Sequence, residues 1–449
     1  FFPCCLSFVS GCTKNKMTKS SPTTKPKRKR LFPHSPKHRH SSLTTRQDPL
    51  HGFVNLTFVL LLSAFLNLIS KNYFQYGILF DLSFLTCIWG DLFGATIVIF
   101  GMIVFSFSAW VLIKAYVRNV INNRTLIIMY ILMQLLLYIV PIRIVFIRNM
   151  APLMGAMVVL ILVIFSLKVH SYYATNVILL RLLKAGKQKD LIFPKNITIP
   201  DYCYFLAAPT LVYETSYPRN EKIRWIWALK EAIGCIICLA LAQLVFAQFE
   251  LPILADIENS KGLWHDVMRL SIPSIVAWLL MFYAFFHCYL NAIAEILRFG
   301  DREFYRDWWN APTLDIFWRK WNILVHEWVL RHIYLETIRS AKQSQKAAAF
   351  WSFLFSAVYH ELLCFVAFRV LRPWFFLGMF LQYPMIIVSR YLYQVTDEKY
   401  RDFLGNINVW LGFFVGQPLI LILYIREWFL VSPSLSCIPN ADVNDSWFF

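Results

Sequence analysis

The chain is 449 residues long, 58% hydrophobic and only 16% charged, with a formal net charge of +18 and a mean hydropathy of +0.52. A soluble domain has about a quarter of its residues charged, so this composition excludes an ordinary soluble fold. It points to an all-α, polytopic membrane helix bundle, since no strand-like alternation long enough for a membrane barrel is present.

The stretch "FFPCCLSFVSGCTKNK" precedes Met17 and is expected to be upstream translated sequence, with Met17 as the native start. It makes a poor signal peptide, because its apolar run is short and no basic region leads it. Residues 1–50 are read as one disordered, basic, cytosolic tail, rich in Ser, Pro and Thr from Met17 onward. Ahead of many spans, "KPKRKR" reads as a positive-inside signal rather than a nucleic-acid patch, so no nucleic-acid partner is expected. His34, His38 and His40 could bind a metal but read as part of this solvated tail.

Nine spans follow, near 54–70, 94–116, 125–146, 151–169, 227–249, 270–298, 347–370, 373–394 and 407–430. Each approaches the roughly 20 apolar residues that cross a bilayer. With the tail in the cytosol, Lys114, Arg118, Arg124 and the loop from Arg181 to Lys195 fall there too. The acidic loop 250–269 falls outside, and the C-terminus is lumenal. Arg143, Arg148, Arg369 and Arg372 run against this charge bias. Cys235 and Cys238 form a CxxC within an apolar segment, where they read as small packing side chains. Asn123 and Asn196 begin sequons that fall on the cytosolic side and are expected to be unused.

Residues 299–346 form a long cytosolic connection rich in Trp and Tyr. The spacing of Trp318, Trp321, Val325, Trp328 and His332 predicts one amphipathic helix at the membrane interface. Lys320, Glu327 and Arg331 take its other side. Asn322 and His326 lie four apart beside the aromatic face.

The seventh span contains "SAVYHELL", which puts His360 and Glu361 where charge is expensive. A neutral imidazole accepts a proton near neutral pH. Glu361 follows directly and so points about 100° away on a helix. It is expected to brace the site or bond to a neighbouring helix. Gln382, Gln417 and Asn322 on other segments suggest a polar chamber. There, a hydroxyl could lose its proton to His360 while attacking an activated carbonyl, with amide donors at the oxyanion. No GxSxG, HExxH or P-loop pattern is present, which argues against hydrolase, metalloprotease and nucleotide-driven readings. A proton-coupled transporter using His360 and Glu361 as a relay remains open, though no internal repeat supports it.

The motif "FYRDWWN" (Phe304, Tyr305, Arg306, Asp307, Trp308, Trp309, Asn310) resembles the FYxDWWN signature of the sterol and diacylglycerol branch of the membrane-bound O-acyltransferases. "FQYGILFDL", "YFLAAPTLVYETSYPR", "FWRKWNILVHEWVLRHIY", "GMFLQYP" and "VGQP" resemble the type 1 diacylglycerol acyltransferases more than the sterol enzymes. Residues 51–449 are therefore read as one acyltransferase domain in the endoplasmic reticulum membrane. The resemblance implies acyl-CoA and diacylglycerol as substrates, membrane lipid as surroundings, no cofactor or metal, and a homodimer or homotetramer. It also implies His360 as base and Asn322 at the thioester. Trp318, Trp321, His326 and Tyr334 would border acyl-CoA, with Met379, Gln382 and Gln417 lining the chamber. Phe304–Asn310 would shape the mouth for CoA. A sterol O-acyltransferase is the neighbouring alternative. The family usually reads WNxPVHKW; here Leu324 replaces Pro and Glu327 replaces Lys, with Arg319, Lys320 and Arg331 near enough to compensate.

Overall fold

The computed structural model describes residues 90–187, 192–255 and 261–431, with Arg39–His40 and scattered positions between 56 and 74. Among these, eight helices are long and apolar enough to cross a membrane. They match the last eight expected spans; the first, 54–70, lies largely outside the described residues.

Helix α1 (Leu92–Val117) starts at Asp91, whose side chain accepts from Gly94 N–H. Helix α2 (Asn123–Ile147) starts at Asn122, which accepts from Thr125 N–H. These are ordinary polar caps on orphan helix donors. Helix α3 (Pro152–Lys184) runs to Lys184 rather than ending near 169, because the buried polar residues Ser171, Thr175 and Asn176 find partners and the helix need not stop. A short helix α4 (Ile199–Ala207) leads to α5 (Trp225–Val245). Span α6 (Leu263–Ile296) has a π-helical stretch at Tyr283–Tyr289. Then come β2 (Asp301–Arg302), α7 (Leu314–Trp321) and α8 (Ile323–Val329), which continues as a π-turn at Leu330–Tyr334. The last spans are α9 (Gln345–Phe368), α10 (Trp374–Phe380) with α11 (Gln382–Val395), and α12 (Arg401–Val431).

The outer surface is apolar: Phe93 is 75% exposed, Ile236 68% and Ile272 67%. So large a continuous apolar exterior fits lipid and not water. Polar residues are drawn inward instead. The Lys168 ammonium on α3 donates to the carbonyls of Phe205, Leu206 and Ala208, the orphan acceptors at the end of α4.

Of the arginines that run against the charge bias, Arg148, Arg369 and Arg372 are engaged near helix ends. Arg148 pairs with Asp91, Arg369 donates to Asn149 and to the Met150 carbonyl, and Arg372 lies 3.5 Å from Glu427. Pairing lowers the cost of leaving these cations at an apolar boundary. Asn196 is 4% exposed and donates to the Tyr213 hydroxyl at 2.6 Å, so its amide is not available as a sequon.

Within the stretch read as the tail, β1 (Arg39–His40) pairs in parallel with β2. One expectation changes. The segment 314–334 is not one amphipathic helix, for it breaks at Asn322 (φ −138, ψ 92). Even within α8 the expected face divides, with Val325 38% exposed and Trp328 3% exposed. Arg331, expected on the polar side, is buried and bonds to Glu214 and Thr175.

Candidate active site

Three rings of the FYxDWWN motif are buried, while Arg306 and Asn310 are exposed. Phe304, Tyr305 and Trp308 are 0%, 0% and 3% exposed, in a cluster with Phe282, Phe299 and Phe317. The Tyr305 hydroxyl is 2.6 Å from His287 Nδ1 on α6, which ties the motif to that span. Asp307 forms an ion pair with Lys320 at 2.9 Å. The Trp309 carbonyl accepts from Asn406 Nδ2 at 2.8 Å and from Trp410 Nε1 at 3.3 Å, both on α12, while Asn310 is exposed.

This scaffold sets the conformation of Asn322. Arg306 N–H donates to the Lys320 carbonyl at 2.8 Å, and Ile323 N–H donates to the Phe304 carbonyl at 3.0 Å. The motif backbone therefore holds residues 320–323 on both sides of Asn322, in the extended form that ends α7 and opens α8. Asn322 Oδ1 then caps α8 by accepting from Val325 N–H at 3.1 Å. With the oxygen so committed, the amide NH₂ is the side left to donate. Trp321 stacks on Trp278 of α6 at 4.5 Å, and Trp318 packs against Phe317.

Close approach of α12 to this scaffold requires Gly405. A Cβ there would lie 2.2 Å from the Pro312 carbonyl oxygen, a backbone atom that cannot turn aside. Gly405→Ala should therefore lower thermal stability in detergent by about 1–3 kcal/mol or more. Gly101→Ala, where a Cβ meets nothing within 4 Å, should leave the melt unchanged. Equal melts would remove the close approach as a constraint.

His326 is half-buried, and loss of water, followed by the charges of Arg319 and Arg306, pushes its pKa down to about 4, which favours the neutral imidazole. The expected compensating cations are already engaged: Arg319 with Asp315, Lys320 with Asp307, and Arg331 with Glu214. Tyr334 closes the π-turn that follows α8.

His360 and Glu361 sit on α9, both half-buried. His360 Nδ1 is 2.7 Å from the Ser356 carbonyl oxygen and 3.4 Å from the Ser356 hydroxyl. A carbonyl only accepts, so Nδ1 carries the proton and Nε2 is left with the lone pair. Glu361 points elsewhere, as its position one residue on implies. Its carboxylate accepts from the Tyr424 hydroxyl at 2.8 Å and from Phe376 N–H at 2.9 Å. It braces α9 against α10 and α12. Tyr359, on a third direction of the same helix, accepts from the Tyr138 hydroxyl of α2 at 2.7 Å. Met379 is buried on α10, and Gln382 Nε2 reaches the Gly378 carbonyl at 3.4 Å. Gln417 lies within α12 beside Pro418. Among the described residues, His360 and Asn322 are not hydrogen-bonded to each other.

Sequence reasoning missed Ser356, although a serine four residues before an intramembrane histidine was a readable signal. It also missed Tyr138 and Tyr424, which sit in apolar runs with nothing local to mark them.

Residues 50–426 match the membrane-bound O-acyltransferase family. The chain belongs to that family. Diacylglycerol O-acyltransferase 1-1 of Oryza sativa subsp. japonica is 36% identical over 395 residues, 84% of this chain and 72% of the relative. Diacylglycerol O-acyltransferase 1 of Arabidopsis thaliana is 33% identical over 386 residues, covering 84% of this chain and 73% of its own. The protein of the same name from Dictyostelium discoideum is 33% identical over 394 residues, 85% of this chain and 63% of its own. This acyltransferase is thus a multi-pass membrane protein whose FYxDWWN motif serves as the support for Asn322.

Proposed function

We propose that this acyltransferase moves a fatty acyl group from acyl-CoA to the free hydroxyl of diacylglycerol, giving triacylglycerol and CoA. The observation that carries the mechanism is the Nδ1–H bond from His360 to the Ser356 carbonyl, which leaves Nε2 as a proton acceptor inside the bundle. In this reading Nε2 takes the hydroxyl proton as the oxygen attacks the thioester carbonyl. The Asn322 amide donates to the oxyanion that forms. The C–S bond then breaks, and the CoA sulfur takes the proton back from His360. The base is restored and no acyl-enzyme is formed. Glu361 acts as a brace, through Tyr424 and the start of α10. The endoplasmic reticulum membrane, with the N-terminus cytosolic and the C-terminus lumenal, completes the reading, along with a homo-oligomeric assembly.

The deciding experiment supplies labelled oleoyl-CoA to the purified protein with diacylglycerol, cholesterol, retinol or a fatty alcohol. Diacylglycerol should be the best acceptor by kcat/KM. A higher kcat/KM for cholesterol would replace the diacylglycerol reading with the sterol one.

Glu327 offers a quantitative test of the CoA mouth. It stands one residue after His326, where the family usually has Lys. If the CoA phosphates lie near it, Glu327→Lys should lower the KM for acyl-CoA at low ionic strength with little change in kcat. The gain corresponds to about 1 kcal/mol or less and should shrink as salt is raised. A KM that does not change at any salt concentration would place the phosphates away from this position.

A further inference from the structure

Resting on the reading of His360 as base, we infer that Tyr424 is a positioning residue for the His360 imidazole, acting through Phe375.

Helix α10 begins at Trp374, and Pro373 before it offers no side-chain cap. The first N–H groups of a helix have no partner within it and need acceptors from elsewhere. Here the caps come from two other helices. Phe375 N–H donates to the Tyr424 hydroxyl of α12 at 3.1 Å, and Phe376 N–H donates to Glu361 of α9 at 2.9 Å. Tyr424 is 1% exposed, and its hydroxyl is also 2.8 Å from both Glu361 oxygens and 2.9 Å from the Arg372 carbonyl. One buried phenol thus joins the carboxylate after the base, the end of the turn out of α9, and the start of α10.

What this junction holds in place is Phe375. Its ring lies 4.9 Å from the His360 ring with an interplanar angle of 61°, an edge-on contact. The Nδ1 bond to Ser356 fixes one edge of the imidazole, and the Phe375 ring walls one side of it. Together they leave one orientation for Nε2. Without the Tyr424 hydroxyl, Phe375 N–H loses its acceptor and Glu361 loses a donor in an apolar setting. The start of α10 then shifts and the wall moves off the imidazole. Misplacing a reacting group lowers turnover more than it lowers substrate binding.

Three substitutions test this. Tyr424→Phe removes only the hydroxyl, Phe375→Leu removes the ring but keeps an apolar side chain, and Phe375→Tyr keeps the ring. Tyr424→Phe and Phe375→Leu should each lower kcat by about ten- to a hundredfold. The KM for oleoyl-CoA and that for diacylglycerol should both stay unchanged. Phe375→Tyr should keep wild-type kcat. Because the two residues act along one path, the double variant Tyr424→Phe/Phe375→Leu should be no slower than the slower single. Wild-type kcat in Phe375→Leu overturns the inference, and that variant decides alone if Tyr424→Phe is not recovered folded. Multiplying losses in the double variant, or a rise in KM that accounts for the whole effect, also overturn it. His360→Asn is measured beside them. If it is inactive while Tyr424→Phe and Phe375→Leu turn over normally, only the positioning inference falls. If it is active, the base reading itself has failed.

Discussion

His360→Asn is expected to abolish acyl transfer while leaving the fold intact. The Asn amide can take the place of Nδ1–H toward the Ser356 carbonyl, so the local bond within α9 survives. What disappears is Nε2, and with it the proton acceptor. A general base contributes roughly 10²–10⁴ in rate. His360→Ala should be equally inactive but less stable, because it loses the bond to Ser356 and the contact with Phe375 as well. The measurement is kcat with oleoyl-CoA and diacylglycerol, with thermal melting in detergent alongside. If either variant keeps more than about a tenth of wild-type turnover, His360 is not the base.

Asn322 separates structure from chemistry in the same way. Its Oδ1 caps α8, and Asp caps a helix as well as Asn does. Asn322→Asp should therefore melt like the wild type. It lacks the NH₂ group, however, and its carboxylate would repel a developing oxyanion. Loss of one oxyanion donor costs about 10²–10³ in rate, and Asn322→Asp should lose at least that much. Asn322→Ala should lose similar activity and, in addition, about 0.5–2 kcal/mol of stability with the cap. An Asp variant that turns over normally would reduce Asn322 to a capping residue. An Ala variant that melts like the wild type would remove the cap from the account.

Much of this architecture is legible in the chain itself. Hydropathy is a local property, so the spans from 94–116 onward are legible to within a few residues, except for the far end of α3 and the starts of α6 and α12. That helix outruns its apolar stretch because Ser171 and Thr175 find partners in Tyr213 and Arg331, and no local pattern announces such partners. His360 and Glu361 were conspicuous because a charged pair in an apolar span has few physical excuses. Their divergence followed from 100° per residue. The aromatic spacing of 318–332 misled for a related reason. Periodicity assumes an unbroken helix, and the break at Asn322 is imposed by backbone bonds from Phe304 and Arg306.

Membrane class, the run of spans, and the side chains able to carry an acyl transfer are all set within the linear chain. These depend on composition, on length and on the chemistry of single residues. Packing in three dimensions is what aims His360 Nδ1 at the Ser356 carbonyl, joins the FYxDWWN backbone to residues 320–323, and brings Glu361 to Tyr424. Tyr424 is 63 residues from Glu361 and 49 from Phe375, yet one hydroxyl bonds to both. In a bundle with no water at its centre, a polar group must find its partner on whichever helix lies nearest in space, and that neighbour is set by packing rather than by distance along the chain.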